Sequence, residues 1–351
     1  MLGALFLICL LCAPAGAKVV SHEQFLDLVR RGQLRYEVDP AKVDVLDGVQ
    51  GPLGFKWNQT VKCRYEEKDP LHPIHGHTPK FYCVTPDGRR FKVKYKSPVS
   101  AEAYGEVAAD HLLDALGFYA EHIYSVKIVC DNCPPDPWFA KADAPRATRT
   151  FWPSSIMVRL PGTEMSETKD EGFGLGELDL VNDQLGGSPR ADVDAFKLLL
   201  VFMNHGDNTP NQQRVLCRPD DPGCRKPLLY ITDAGAMFGG LDYVTSYPHW
   251  AMKKDLWLDR SQCVAAFRGS DPSFADPSIS EAGRALLSRL LDRLTDEQIR
   301  DIFKGANFED FDGREPPVVG PDGKARRVTL DDWVRLFKEK RAQVDAVRCP
   351  E

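Results

Sequence analysis

The sequence predicts an α+β chain in two lobes, a strand-rich first lobe with one long helix and a mostly helical second lobe. Three observations predict it. Short runs of alternating apolar residues crowd residues 60–96, a longer helical pattern fills 100–118, and helical patterns dominate from residue 191 onward. At 351 residues the chain is long enough for one large domain or two lobes. Its 43% hydrophobic and 27% charged content is that of an ordinary globular protein, and a net charge of -6 argues against a general nucleic-acid binder, which carries a basic excess to neutralise phosphates.

The opening "MLGALFLICLLCAPAGAK" has an apolar run too short to span a bilayer comfortably, followed by the small-x-small site Ala15-Gly16-Ala17. Residues 1–17 are therefore expected to be a signal peptide cleaved after Ala17, although no Lys or Arg stands at its start; a retained anchor is the alternative. Nothing later is long and apolar enough to cross a membrane, so the mature protein is expected to be secreted or periplasmic, with no membrane span. Of ten cysteines, eight lie beyond this leader. In an oxidising space they suit disulfides. A four-sulfur zinc site from Cys130, Cys133, Cys217 and Cys224 stays open, and the pairing is not fixed by sequence. Asn58-Gln59-Thr60 matches a glycosylation sequon.

An N-terminal extension covers 18–57. Within it "SHEQFLDLVRRG" reads as a short helix, with Ser21 as cap, Gln24 completing a capping box and Gly32 at the end. The first lobe, 58–160, begins with "TVKCRYEEK", "KFYCVT" and "RFKVKYK", a three-strand meander with a "PDGR" turn between the last two. In the third strand Phe91, Val93 and Tyr95 alternate with Lys92, Lys94 and Lys96, which places the lysines together on one face. "SAEAYGEVAADHLLDALGF" reads as an amphipathic helix; "HIYSVKIVC" is a strand leading to a "CDNCPPDPW" loop, and "SSIMVRL" is another strand. The second lobe, 161–351, holds the buried helix "DVDAFKLLLVFMNH", the short strands "QQRVLC" and "PLLYITD", and helices over "SISEAGRALLSRLLDRLTDEQIRDIFKGA" and "TLDDWVRLFKEKRAQVDAV". Trp250, Trp257 and Trp333 read as core, and "KARR" as a solvated turn before the last helix.

Chemistry concentrates in two places. "VFMNHGDNTPNQQ" puts Asp207 just past an apolar helix, and "LLYITDAGAMFGG" puts Asp233 at the end of an apolar strand. An acid at the end of a buried element stays ionised only where a cation, a donor or water offsets its desolvation. Two such acids joined by a hairpin suit a divalent cation of the Mg or Mn kind.

The order of these pieces, with Lys94 and Glu106 upstream, is that of protein kinases: an H-x-D loop with an amide nearby, then a strand ending in D-x-G. In "FKVKYK", "GEVAADHLLDALGF", "NHGDNTPNQQ" and "ITDAGAMFG" the sequence resembles the atypical branch of the protein-kinase-like superfamily, the HipA-type, phosphatidylinositol and secretory-pathway kinases. The likeness spans roughly residues 60 to 305. It implies a bilobal kinase-like fold, ATP, Mg or Mn, and phosphoryl transfer to a hydroxyl on a protein, sugar or lipid. Carried over, Asp207 would orient or deprotonate the acceptor, Asp233 would hold the metal with Gln212 or Asn211, and Lys94, fixed by Glu106, would contact phosphate. A loop with Gly76, His77, Thr78 and Lys80 would cover the nucleotide. The residue five after Asp207 is Gln212 rather than the family's Asn, so an inactive nucleotide-binding or scaffold module of the same fold is the alternative, and a disulfide-clamped structural protein is a third. His72, His75 and His77 read as a polar loop more readily than as a zinc site.

Overall fold

The computed structural model describes residues 17–50, 54–67, 76, 78–96, 101–168, 171–239, 245–253, 255–310, 317–319 and 323–350. The leader before Ala17 and the histidines His72, His75 and His77 lie outside the described residues. After the short strand β1 (Lys18–Val19), α1 (His22–Arg30) starts where its capping box places it: Ser21 Oγ accepts from the Gln24 backbone N–H, and Gln24 Oε1 accepts from that of Ser21. Gly32 ends the helix as expected, its N–H bonding Val29 O at 3.0 Å, and it also serves packing. A Cβ there would fall 2.4 Å from the Leu229 side chain.

The meander is part of a larger closed unit. Strands β2 (Thr60–Tyr65), β3 (Lys80–Val84), β4 (Arg90–Tyr95), β5 (His122–Cys133) and β6 (Ala147–Val158) form a barrel in the order β2-β3-β4-β6-β5, closed by parallel pairing of β2 with β5. Alternate side chains fill it, among them Val61, Phe81, Phe91, Val93, Tyr124, Ile128 and Ile156, with the Cys63–Cys83 disulfide inside. Two strands run further than the sequence suggests. β5 continues through the "CDNC" segment, and β6 begins at Ala147 despite Pro153. A proline lacks an N–H but keeps its acceptor, and Pro153 O takes the Lys96 N–H at 3.0 Å.

Between β4 and β5 runs α2 (Glu102–Ala115). The expected amphipathic helix is instead buried from Ala103 to Ala115 on every side, because neighbouring elements cover its polar face as well as its apolar one. Glu106, Asp110, His111 and Asp114 are thereby drawn inside, where each needs a partner.

Beyond short strands and single helical turns, the elements that follow are β7 (Thr163–Ser166), α3 (Arg190–Met203), β8 (Gln213–Cys217), β9 (Leu228–Ile231), α4 (Tyr247–Met252), α5 (Glu281–Asp292), α6 (Asp296–Gly305) and α7 (Leu330–Asp345). A second sheet has the order β1-β7-β8-β9. The long helical stretch at 278–306 is two helices, because Thr295 and Gln298 form a capping box that restarts the chain as α6. Trp250, Trp257 and Trp333 are all buried, and Trp250 and Trp333 stack beside Phe238, Phe303 and Phe308. "KARR" is not a solvated turn: Ala325–Arg326 pair as a short strand with Val318–Val319, and Arg326 forms an ion pair with the buried Asp332 at 2.6 Å. All eight described cysteines form disulfides: Cys63–Cys83, Cys130–Cys133, Cys217–Cys224 and Cys263–Cys349. That pairing excludes the four-sulfur zinc site. Among the described residues no helix is long and apolar enough to cross a membrane.

Candidate active site

β4 turns Phe91, Val93 and Tyr95 into the barrel, so its lysines point outward. Outward here is not toward solvent. The β3–β4 register sets Lys80 opposite Lys94 and Tyr82 opposite Lys92, and α2 and the segment after β9 cover that face. Lys94 is 2% exposed, with Nζ 2.9 Å from Glu106 Oε1, 3.3 Å from Asp233 Oδ1 and 3.5 Å from Glu102 Oε2. Burial alone would strip its charge, yet Asp233, Glu106 and Glu102 outweigh burial and hold the ammonium well above its usual range.

Asp233 reaches Lys94 through the β8–β9 hairpin. Gln213 pairs with Ile231, and just past that pair Gln212 O accepts from the N–H groups of Thr232 at 2.9 Å and Asp233 at 3.4 Å. Asp233 Oδ1 also accepts from Gly235 N at 3.2 Å. Burial works against the charge of Asp233, but Lys94, Lys92, the Gly235 N–H and Lys80 together hold its carboxyl far below the usual range. The loop after it is docked directly on α2. A Cβ on Gly105 would lie 1.9 Å from Thr245 Oγ1 and 3.0 Å from Met237 O, so only glycine admits this approach. Phe238 adopts a φ of 58°, held by its N–H on Met203 O at 2.7 Å and by packing against Trp250, Phe303 and Phe308.

The loop 204–212 leaves α3 through Asn204, whose left-handed conformation turns the chain and whose amide bonds Gly239 O. It is pinned from the far side: Asn208 Oδ1 accepts from Asp271 N at 2.7 Å, and Gly206 O accepts from Ser270 N at 2.9 Å. His205 is fully buried with neither ring nitrogen hydrogen-bonded among the described residues, and burial pulls it down to about 4, so it is neutral. Gln212 Nε2 donates to Asp207 Oδ2 at 3.0 Å. Asn211 is exposed and its Oδ1 accepts from Thr209 Oγ1, which turns it aside, so Gln212 is the amide beside the acid.

Lys94, Glu106 and Asp233 thus meet in space, and Gln212 links Asp207 to Asp233 through one side-chain and one backbone bond. The expected covering loop divides. Gly76 is exposed with a φ of 97°, Thr78 is buried, and Lys80 is the first residue of β3 rather than a loop residue, because its carbonyl and N–H join the ladder opposite Lys94. Burial first, then Lys94 and Lys92, pull Lys80 down to about 8. The sequence reading also missed three residues. Glu102, one turn before Glu106, was legible from its i, i+4 spacing. Lys92 was visible in the lysine stripe. Glu121, 1% exposed and pushed up to about 7 mainly by burial, gave no local signal; it accepts from Thr232 Oγ1 at 3.1 Å and Tyr230 OH at 3.3 Å.

A groove of about 2190 Å³ runs from Tyr82 and Lys92 past Met157 and Leu160 to Leu216 and α1. Its lining does not include Lys94, Asp207 or Asp233, but Lys92 joins the two, since it lines the groove and also depresses Asp233. The part-exposed Asp233 carboxylate, the Asp207 carboxylate and the Gln212 amide oxygen are the kinds of donor a hard divalent cation takes.

No known protein family matches the sequence, and no curated protein does. Among solved structures the chain is similar to the Helicobacter pylori proinflammatory kinase CtkA, with a TM-score of 0.43 and 10% identity, covering 82% of this chain and 96% of that one. It is also similar to the Golgi casein kinase with Mn/ADP bound, with a TM-score of 0.38 and 10% identity over 82% of this chain and 72% of that one. Neither likeness is close enough to assign an activity.

Proposed function

We propose that the protein is an ATP-dependent phosphotransferase of kinase-like fold that acts outside the cytoplasm on a hydroxyl-bearing acceptor. The observation that carries this reading is the buried Lys94 ammonium shared between Glu106 on α2 and Asp233 after β9. A lysine held charged in that position, with Lys80 and Lys92 on the same face, can neutralise phosphate oxygens without losing conformational freedom on binding. Asp233, with Gln212, would hold Mg or Mn, which supplies charge neutralisation on the polyphosphate. Asp207 would orient the acceptor hydroxyl or take its proton, and the groove from Lys92 to Leu216 would take the base and ribose. The eight cysteines in disulfides support an oxidising compartment, in keeping with the N-terminal leader pattern.

Thermal melting with ATP, with and without Mn, tests the pocket. A metal-dependent rise in Tm that disappears in Asp233→Ala is expected; no shift at millimolar nucleotide in the native chain refutes it. A second reading, a nucleotide binder without catalysis, draws on the Gln212–Asp207 hydrogen bond, which occupies the acid that would serve the acceptor. Autophosphorylation by the native chain, lost in Asp207→Ala with the melting shift retained, favours the enzyme. A retained shift with no transfer to any acceptor favours the binder.

A further inference from the structure

One turn beyond Glu106, α2 carries Asp110 and Asp114, spaced i, i+4 and each 2% exposed, and β5 begins beside them at His122. One ligand atom from each of the three residues lies within 4.8 Å of the others. Asp114 Oδ2 is 3.2 Å from His122 Nδ1. Asp110 Oδ2 accepts from Ile123 N at 2.8 Å, whereas its Oδ1 is buried with no hydrogen-bond partner. An oxygen of that kind is costly to bury unless something absent from the protein's own groups meets it. His111, on the same helix, is not available as a ligand, since its two ring nitrogens face Val45 O and Ile123 O.

We propose that Asp110, Asp114 and His122 bind a divalent cation of the zinc or manganese type, at a site separate from the Lys94–Asp233 centre. Two carboxylate oxygens and one imidazole nitrogen are a donor set those ions accept, while calcium takes six to eight oxygens. The His122 side chain is 24% exposed, which leaves a path for the ion and for water to complete its coordination. Bound there, the cation would join the last turns of α2 to β5 and so hold the helix that carries Glu106.

The test uses the full chain, free of any histidine tag and carrying Asp233→Ala, so that the other centre does not contribute. After stripping with a chelator and reloading with Zn or Mn, metal content is read by elemental mass spectrometry following gel filtration, and Tm is read in parallel. About one equivalent retained with a raised Tm is expected, and His122→Gln should weaken retention at least about tenfold. Asp110→Asn should do the same; should that chain fail to fold, His122→Gln, at a part-exposed position, carries the comparison. No retention of either ion by the folded chain, or retention unchanged in His122→Gln, overturns the proposal.

Discussion

The two ends of α2 solve one problem differently. At the first end Glu102 and Glu106 share the buried Lys94, and the charges answer one another. At the second end Asp110 and Asp114 have the same spacing and are both buried, but they face a part-exposed His122, and Asp110 Oδ1 is left without a hydrogen-bond partner. The difference teaches that burying an acid is not in itself a functional sign. What distinguishes the ends is whether the fold supplies the opposite charge, as β4 does at one, or leaves it to come from solution.

The largest test removes that supplied charge. Lys94→Met leaves Glu106 buried and unpaired and is expected to cost about 3–5 kcal/mol in denaturant unfolding, while Lys94→Met with Glu106→Leu should recover part of it. A loss in the double variant equal to the sum of the losses in Lys94→Met and Glu106→Leu alone would show that the pair is not coupled.

Next in size is a third buried acid, Glu121, which lies beyond the second end of the helix and forms no ion pair among the described residues. Its carboxyl is raised from 4.5 to about 7, chiefly by burial, so the stability it favours is present below pH 4.5 and lost as pH rises through about 7. Between pH 5 and pH 8 the native chain should therefore lose about 2–3 kcal/mol more than Glu121→Gln. Parallel pH profiles would mean that Glu121 is compensated after all.

A smaller effect is expected where the first end docks. Gly105→Val forces Thr245 and the Met237 carbonyl away and should cost about 1–3 kcal/mol, with a weakened ATP-dependent Tm shift because the Asp233 loop moves with them. An unchanged shift would show that the loop does not depend on this contact.

The smallest effect is expected at the second end. In chelator-treated protein Asp110 has its folded carboxyl raised, so its ionisation erodes stability as pH rises; the Tm of the native chain should fall more between pH 5 and pH 8 than that of Asp110→Asn. Added zinc should reverse the sign by stabilising only the native chain. A pH-independent difference would remove the contrast between the ends.

Much of the candidate site was readable before any coordinates. Lys94 and Asp233 announced themselves because a lysine in an alternating strand and an acid after an apolar strand are local patterns with few structural uses. Lys80 was read both as the end of the covering loop and as the start of the strand "KFYCVT", and pairing with Lys94 across a turn decided for the strand. β6 starts well before the strand "SSIMVRL", and what lets it run through Pro153, the carbonyl that accepts the Lys96 N–H, is not visible in sequence. Asn211 and Gln212 differ by one position, and only the turn at 209–212 decided which side chain faces Asp207.

By itself the sequence determined the periods: which strands alternate, where Ser21 caps α1, which acids end apolar elements. These are local, set by backbone geometry and by the cost of burying polar groups. The tertiary structure alone decided that five strands close into a barrel, that α2 is covered on all sides, and that each described cysteine takes its particular partner. Each of those depends on contacts between residues far apart in the chain, whose energies no single segment carries.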